Sequence, residues 1–210
     1  MIHAEIYTSR KADRDRLLKF ADVSFYNRFP DPAKRKIMRE RLAKEETIDK
    51  AHLIRAEKAG FDIDHIYYHG TMGAWATGIP DLSRQNYHRD WGHGVYMSPY
   101  VTMAINFARD GWGKDGIVPP DARLMALVVR NDAKILDLSH PYTKSPIMLA
   151  KGKRGELREP DDVTRRLKAM GYDGIKNPKG TQLVVWNGDK LRHVEAEFDP
   201  RRRASTDIFA

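Results

Sequence analysis

The chain has 210 residues, of which 41% are hydrophobic and 31% charged, a composition typical of a soluble globular protein with one substantial core. No apolar run is long enough to span a bilayer, and the first residues, MIHAEIYTSRKADRDR, lack the apolar stretch of a signal peptide. There is no cysteine, which excludes disulfides and thiolate chemistry. We therefore expect a cytoplasmic protein without membrane association.

The net charge of +8 is spread unevenly along the chain. Basic and acidic residues number 15 and 10 over residues 1–60, 8 and 9 over 61–150, and 14 and 10 over 151–210. The near-neutral middle suits a site for a small ligand. The basic flanks are either a surface for an anionic macromolecule or an ordinary solvated surface, and both interpretations stay open.

Residues 1–60 are predicted to form an N-terminal helical segment. Apolar residues recur at helical spacing in two stretches, and Pro30 and Pro32 in the sequence FPDP separate them. The second helical region ends at Gly60, a residue suited to the position just after a helix.

From residue 61 to residue 197 the pattern changes to short strands mixed with helices. Strands are predicted in DHIYYH, GVYMS, ARLMALVVR, KILDL, YDGIK and QLVVWN. Helices are predicted in YVTMAINFARD and from Pro160 to Gly171, with loops over 80–93, 110–120 and 151–160. Because regular β-α-β spacing is missing, the fold class is α+β rather than doubly wound, with residues 198–210 as a C-terminal tail.

The sequence YYHGT, residues 67–71, contains the first candidate for ligand binding. A histidine supplies a directional hydrogen bond, and a following glycine lets the backbone approach a small polar molecule closely. The alternative is a structural histidine before an ordinary turn. Asp173 and Asp189, in the turn-like sequences YDG and NGD, are interpreted as structural.

Three segments taken together, YYHGT, GHGVYMSPYVTMAINFARD and GYDGIKNPKGTQLVVWN, resemble the ADP-ribosyltransferase superfamily in order and spacing. The chain is most similar to its His-Tyr-Glu branch, which includes poly(ADP-ribose) polymerases and diphtheria-toxin-like enzymes. The stretches AEKAGFDIDHIYYHGT, LKAMGYDGI and AEFDPRRRASTDIFA further resemble the ADP-ribosyltransferase domains of phage and mobile-element polyvalent proteins. The resemblance implies two packed, mostly antiparallel sheets with flanking helices over residues 61–197.

The resemblance also implies an NAD site without a metal. His69 matches the histidine that hydrogen-bonds the adenosine ribose, and Gly70, followed by Thr71, matches the glycine whose backbone holds the nicotinamide carboxamide. Tyr96 matches the aromatic that stacks on the nicotinamide ring, and Phe107 lies where many relatives cover its other face. Ala104 replaces a serine found in the polymerases. Taken one at a time, an aromatic residue in either position is more often an ordinary core residue.

Gln182 is the departure from the family pattern, because relatives usually carry a glutamate there. An amide keeps hydrogen-bonding capacity and loses the charge that stabilises the developing cation. The resemblance therefore implies a mono-ADP-ribosyltransferase acting on nucleic acid or protein in a phage, mobile-element or toxin system, with an antitoxin or immunity protein as a further partner. NAD glycohydrolysis and a non-catalytic NAD- or nucleic-acid-binding protein are the alternatives.

A metal site is disfavoured although four histidines lie close in sequence: His65, His69, His88 and His93. Residues four apart on a strand are about 13 Å from each other, which is too far to share one ion. No cysteine or ordered carboxylate pair completes a tetrahedral set. Walker-type and Rossmann sequences are also missing.

Overall fold

A computed structural model describes residues 48–71, 91–101, 103–104, 123–138 and 160–210 of the chain. The elements within these ranges are α1 (Lys50–Lys58), β1 (Phe61–Thr71), β2 (Val95–Met97), β3 (Arg123–Arg130), β4 (Ile135–Asp137), α2 (Pro160–Ala169), β5 (Gly174–Lys176), β6 (Leu183–Val185) and β7 (Leu191–His193), with short 3-10 helices at Gly188–Lys190 and Pro200–Arg202. The mixture confirms the predicted α+β class. Among the described helices, none combines the length and the apolar character needed to cross a membrane.

The strands form two sheets. The three-stranded sheet has the order β1-β3-β7, and all its pairs are antiparallel. The four-stranded sheet has the order β2-β6-β5-β4 and is antiparallel except for the parallel pair β4 and β5. In this order β1 and β2 each stand at one end of their own sheet.

The main core lies between the two sheets. Because side chains alternate along a strand, one set from each strand faces the opposite sheet and the other faces away. The four-stranded sheet contributes Val95, Met97, Leu183 and Val185 to this core, and the three-stranded sheet contributes Met125, Leu127, Val129 and Leu191. The even-numbered residues of β2 and β6, including Tyr96, therefore point to the outer face.

Helices α1 and α2 each cover the outer face of one sheet. In α1 the side chain of Asp49 accepts a hydrogen bond from the Ala51 amide at 2.9 Å, which caps the helix start. The helix ends at Lys58 with Ala59 as its C-cap, and Gly60 follows with a φ of 86°, as predicted for that glycine. Buried residues of α1 pack on the three-stranded sheet, and those of α2 pack on the four-stranded sheet: Leu53 and Ala56 for α1, Val163 and Leu167 for α2.

The C-terminal residues 198–210, which sequence analysis sets apart as a tail, contact the rest of the domain. Ile208 is fully buried in the core between the sheets. The buried Arg192 of β7 donates from Nε to the Ala210 carbonyl at 3.1 Å and from Nη2 to the carbonyls of Arg202 and Arg203 at 3.0 and 3.2 Å. One guanidinium therefore binds the C-terminal segment at two separate points.

Candidate active site

The two sheets come together where β1 and β2 approach each other. Among the described residues, Tyr68 and Ser98 form an isolated antiparallel bridge between the strands. The Tyr68 amide donates to the Ser98 carbonyl at 2.8 Å, and the Ser98 amide donates back at 2.9 Å. Beyond this bridge each strand continues in its own sheet, so the bridge marks the point at which the sheets diverge.

His69, the residue after this bridge on β1, contacts the backbone of β2. Its Nδ1 lies 2.7 Å from the carbonyl oxygen of Tyr96. Because a carbonyl only accepts, Nδ1 carries the proton, and Nε2 of the neutral ring is an acceptor. Burial lowers the pKa of His69 to about 4, although the hydrogen bond to the Tyr96 carbonyl opposes that shift. The imidazole is therefore uncharged at neutral pH.

The Tyr96 side chain is held by the loop that precedes its strand. Its hydroxyl donates to the Gly92 carbonyl at 2.8 Å and accepts from the Trp91 amide at 3.3 Å. The loop is in turn attached to α2, since the His93 amide donates to Thr164 Oγ1 at 2.7 Å. The ring packs beside the apolar cluster under α2. The hydroxyl and the ring of Tyr96 are thus both held in place.

Gln182 lies directly before β6, on the neighbour of β2. Tyr96 pairs with Val184, so Gln182, two residues earlier, is on the same face as the Tyr96 ring. Such diagonal neighbours are typically about 7–8 Å apart, within reach of long side chains. The amide of Gln182 donates to Asn177 Oδ1 at 3.2 Å. Among the residues that the structure describes, no partner is found for the side-chain carboxamide of Gln182.

The remaining predicted site residues differ in what the structure shows of them. Gly70 is buried on β1 opposite Leu124, and Thr71 ends the strand. Ala104 is fully buried. Phe107 lies outside the described residues. The structure thus brings His69 against the Tyr96 backbone with Gly70 and Thr71 alongside, and places Gln182 on the adjacent strand.

The described histidines among those considered as metal ligands have separate contacts. His65 is exposed and its Nδ1 lies 2.7 Å from Asp62 Oδ2. The His69 ring contacts the Tyr96 carbonyl, and the backbone amide of His93 donates to Thr164 Oγ1 of α2. His88 is outside the described residues. Within the ranges that the structure describes, no three His, Asp or Glu side chains are arranged to hold a metal ion.

Sequence reasoning assigned no role to two residues that shape this region, Asn177 and Gly94. Asn177 organises the hairpin before Gln182, and its signal was the turn sequence NPKG. A Cβ on Gly94 would come within 2.6 Å of the Val185 carbonyl oxygen, so only glycine fits there.

Asp173, interpreted as structural, accepts from the Lys134 amide at 3.0 Å and from Asn187 Nδ2 at 2.7 Å.

Comparisons with protein families, with curated proteins and with solved structures find no match to this chain.

Proposed function

We propose that this chain is a mono-ADP-ribosyltransferase that uses NAD to modify a macromolecule, nucleic acid or protein, as an effector of a phage, mobile element or toxin system. The observation that carries the proposal is the contact between His69 and the Tyr96 backbone where the two sheets diverge, with Gln182 on the adjoining strand. These residues are far apart in the chain, and they are three of the residues that the family resemblance assigns to the NAD site. The α+β architecture with two sheets is compatible with the ADP-ribosyltransferase fold.

The neutral state of the His69 imidazole, with its proton on Nδ1, supports a role in binding a ribose. In a neutral imidazole that donates from Nδ1 to a carbonyl, Nε2 is a hydrogen-bond acceptor by its chemistry, and a ribose hydroxyl is a donor of the matching type. The Gly70 backbone would hold the carboxamide of nicotinamide, and the Tyr96 ring would stack on the nicotinamide. The anchored hydroxyl of Tyr96 favours this role, because a ring that is already fixed loses little entropy when a ligand stacks on it.

The reaction breaks the bond between the nicotinamide nitrogen and C1′ of the ribose. Nicotinamide leaves with the bonding electrons, and positive charge develops on the ribose ring. A nucleophile of the acceptor then bonds to C1′ and releases a proton. The amide oxygen of Gln182 can accept a hydrogen bond from a ribose hydroxyl but supplies no full negative charge, so it stabilises the cation less than a carboxylate does.

Gln182 also favours a second candidate, an NAD-binding protein without transferase activity. NAD labelled in its adenylate portion separates the candidates when it is incubated with the protein and a cell lysate. Label on a macromolecule supports transfer, and nuclease or protease treatment identifies the acceptor class. Free labelled ADP-ribose indicates NAD glycohydrolysis, whereas binding without cleavage indicates the non-catalytic protein.

The NAD site is tested by two substitutions with a matched control. His69→Ala and Tyr96→Ala should each cost about 1–3 kcal/mol of NAD binding, roughly 5- to 150-fold in Kd. His65→Ala is the control, because His65 lies on the same strand but is exposed and contacts Asp62. A folded double variant of His69 and Tyr96 that binds NAD as tightly as the wild type would refute the site.

A further inference from the structure

The hairpin between β5 and β6 is organised by Asn177, which is only 9% exposed. Its carbonyl accepts from the Gly180 amide at 2.9 Å, and Gly180 has a φ of 67°, so residues 177–180 form a tight turn. Its Oδ1 accepts from the Thr181 amide at 2.8 Å, and its Nδ2 lies 3.0 Å from Thr181 Oγ1. The Asn177 side chain thus links the first residue of the turn to Thr181, the residue that follows it.

Asn177 also binds both backbone polar groups of Gln182. The Gln182 amide donates to Asn177 Oδ1 at 3.2 Å, and the Gln182 carbonyl accepts from the Asn177 amide at 2.9 Å. The carboxamide of Gln182 has no partner among the described residues. The direction of this side chain therefore depends on its backbone, and Asn177 fixes that backbone.

We propose that Asn177 is a positioning residue that holds Gln182 in the orientation needed for NAD cleavage. The inference rests on the proposed function, in which Gln182 contacts the ribose as charge develops. Catalytic groups tolerate little displacement, and a shift of about 1 Å can cost about 100-fold in rate. Binding of NAD depends on His69 and Tyr96, which Asn177 does not contact in any described hydrogen bond. The expected signature is a loss of turnover at nearly constant affinity.

The kinetic test uses Asn177→Ala, Asn177→Asp and Gln182→Ala on the full chain. Asn177→Ala should lower the rate of NAD cleavage about tenfold or more while the Kd for NAD changes less than about twofold. Asn177→Asp keeps the acceptor oxygen for the Gln182 amide and should recover most of the rate. Thr181→Val is a matched control, because it removes only the hydroxyl that Asn177 Nδ2 contacts.

A double-variant cycle separates positioning from a general structural role. If Asn177 acts through Gln182, then Asn177→Ala should have little further effect on cleavage when Gln182 is already alanine. An equal loss of rate in both backgrounds overturns the proposal. So does a rise in Kd that matches the whole loss of catalytic efficiency.

A measurement without NAD keeps this inference distinct from the proposed function. Nuclear magnetic resonance relaxation of the Gln182 backbone amide should show an ordered group in the wild type and in Asn177→Asp, but a more mobile one in Asn177→Ala, because Asn177 bonds to this backbone. Equal order in all three proteins overturns the positioning role. A wild-type chain that neither binds nor cleaves NAD refutes the proposed function and the catalytic part of this inference, while the relaxation data still decide whether Asn177 holds Gln182.

Discussion

The neutral state of His69 makes a quantitative prediction about stability. Its pKa is about 4 in the folded protein, against an ordinary value of 6.5. Between these values the unfolded chain binds more protons than the folded chain, so the free energy of unfolding falls as the pH falls. For a single group with these two pKa values, the loss between about pH 7.5 and about pH 5 is about 2 kcal/mol.

The prediction is tested by urea unfolding of the wild type and of His69→Asn at both pH values. Asparagine can place an amide N–H near the position of Nδ1, which retains the donor to the Tyr96 carbonyl, but it does not titrate. The wild type should lose about 2 kcal/mol more than the variant on acidification. His193, whose pKa is also lowered by burial, is present in both proteins and cancels. A difference below about 0.5 kcal/mol would mean that His69 titrates almost normally, and the reasoning about its tautomer and charge would fail.

Four further outcomes are expected. Gln182→Glu should raise NAD cleavage by about 100-fold or more with little change in NAD affinity, and lower turnover in that variant would contradict the assigned role. Gly94→Ala should destabilise the fold by about 1–3 kcal/mol in urea unfolding, because its Cβ meets the Val185 carbonyl at 2.6 Å. Arg192→Met should cost about 2–4 kcal/mol, whereas the exposed Arg201→Gln should cost almost nothing in the same assay. If the acceptor is a nucleic acid, its binding in a filter assay should weaken steeply between roughly 50 and 200 mM salt, and no binding at low salt would favour a protein acceptor.

The sequence predicted the elements whose signal is local. Strand β3, Arg123–Arg130, has a long apolar run, and α2 begins at Pro160 with Gly171 beyond its end at a φ of 83°. Strand β7 was not predicted, because its three residues, LRH, are too few to show alternation and contain a charge at the centre. Arg192 is buried there only because distant backbone carbonyls surround it, and no local pattern encodes that environment.

For the candidate site, the sequence indicated which residues to consider but not the hydrogen bonds that they form. The resemblance named His69 and Tyr96, whereas the structure shows that the imidazole contacts the tyrosine's backbone and that the tyrosine hydroxyl contacts Gly92. The lowered pKa of His69 likewise follows from desolvation by the surrounding fold, which is a property of the tertiary structure. The role of Asn177 depends on a hairpin pairing that brings residue 177 beside residue 182.

The structure also changes the interpretation of the basic residues in the C-terminal flank, residues 151–210. Counting residues gives 14 basic and 10 acidic side chains over residues 151–210, which suggests a surface for a polyanion. In the structure Asp132, from the central part of the chain, pairs with Arg130, Lys190 and Arg203. Partial desolvation alone would raise the pKa of Asp132, but hydrogen bonds and charges from Lys190 and Arg130 lower it. The carboxylate therefore stays charged. Asp132 therefore offsets part of the positive charge of Lys190 and Arg203 on the flank, so a count of the residues in one stretch of sequence does not by itself give the local field.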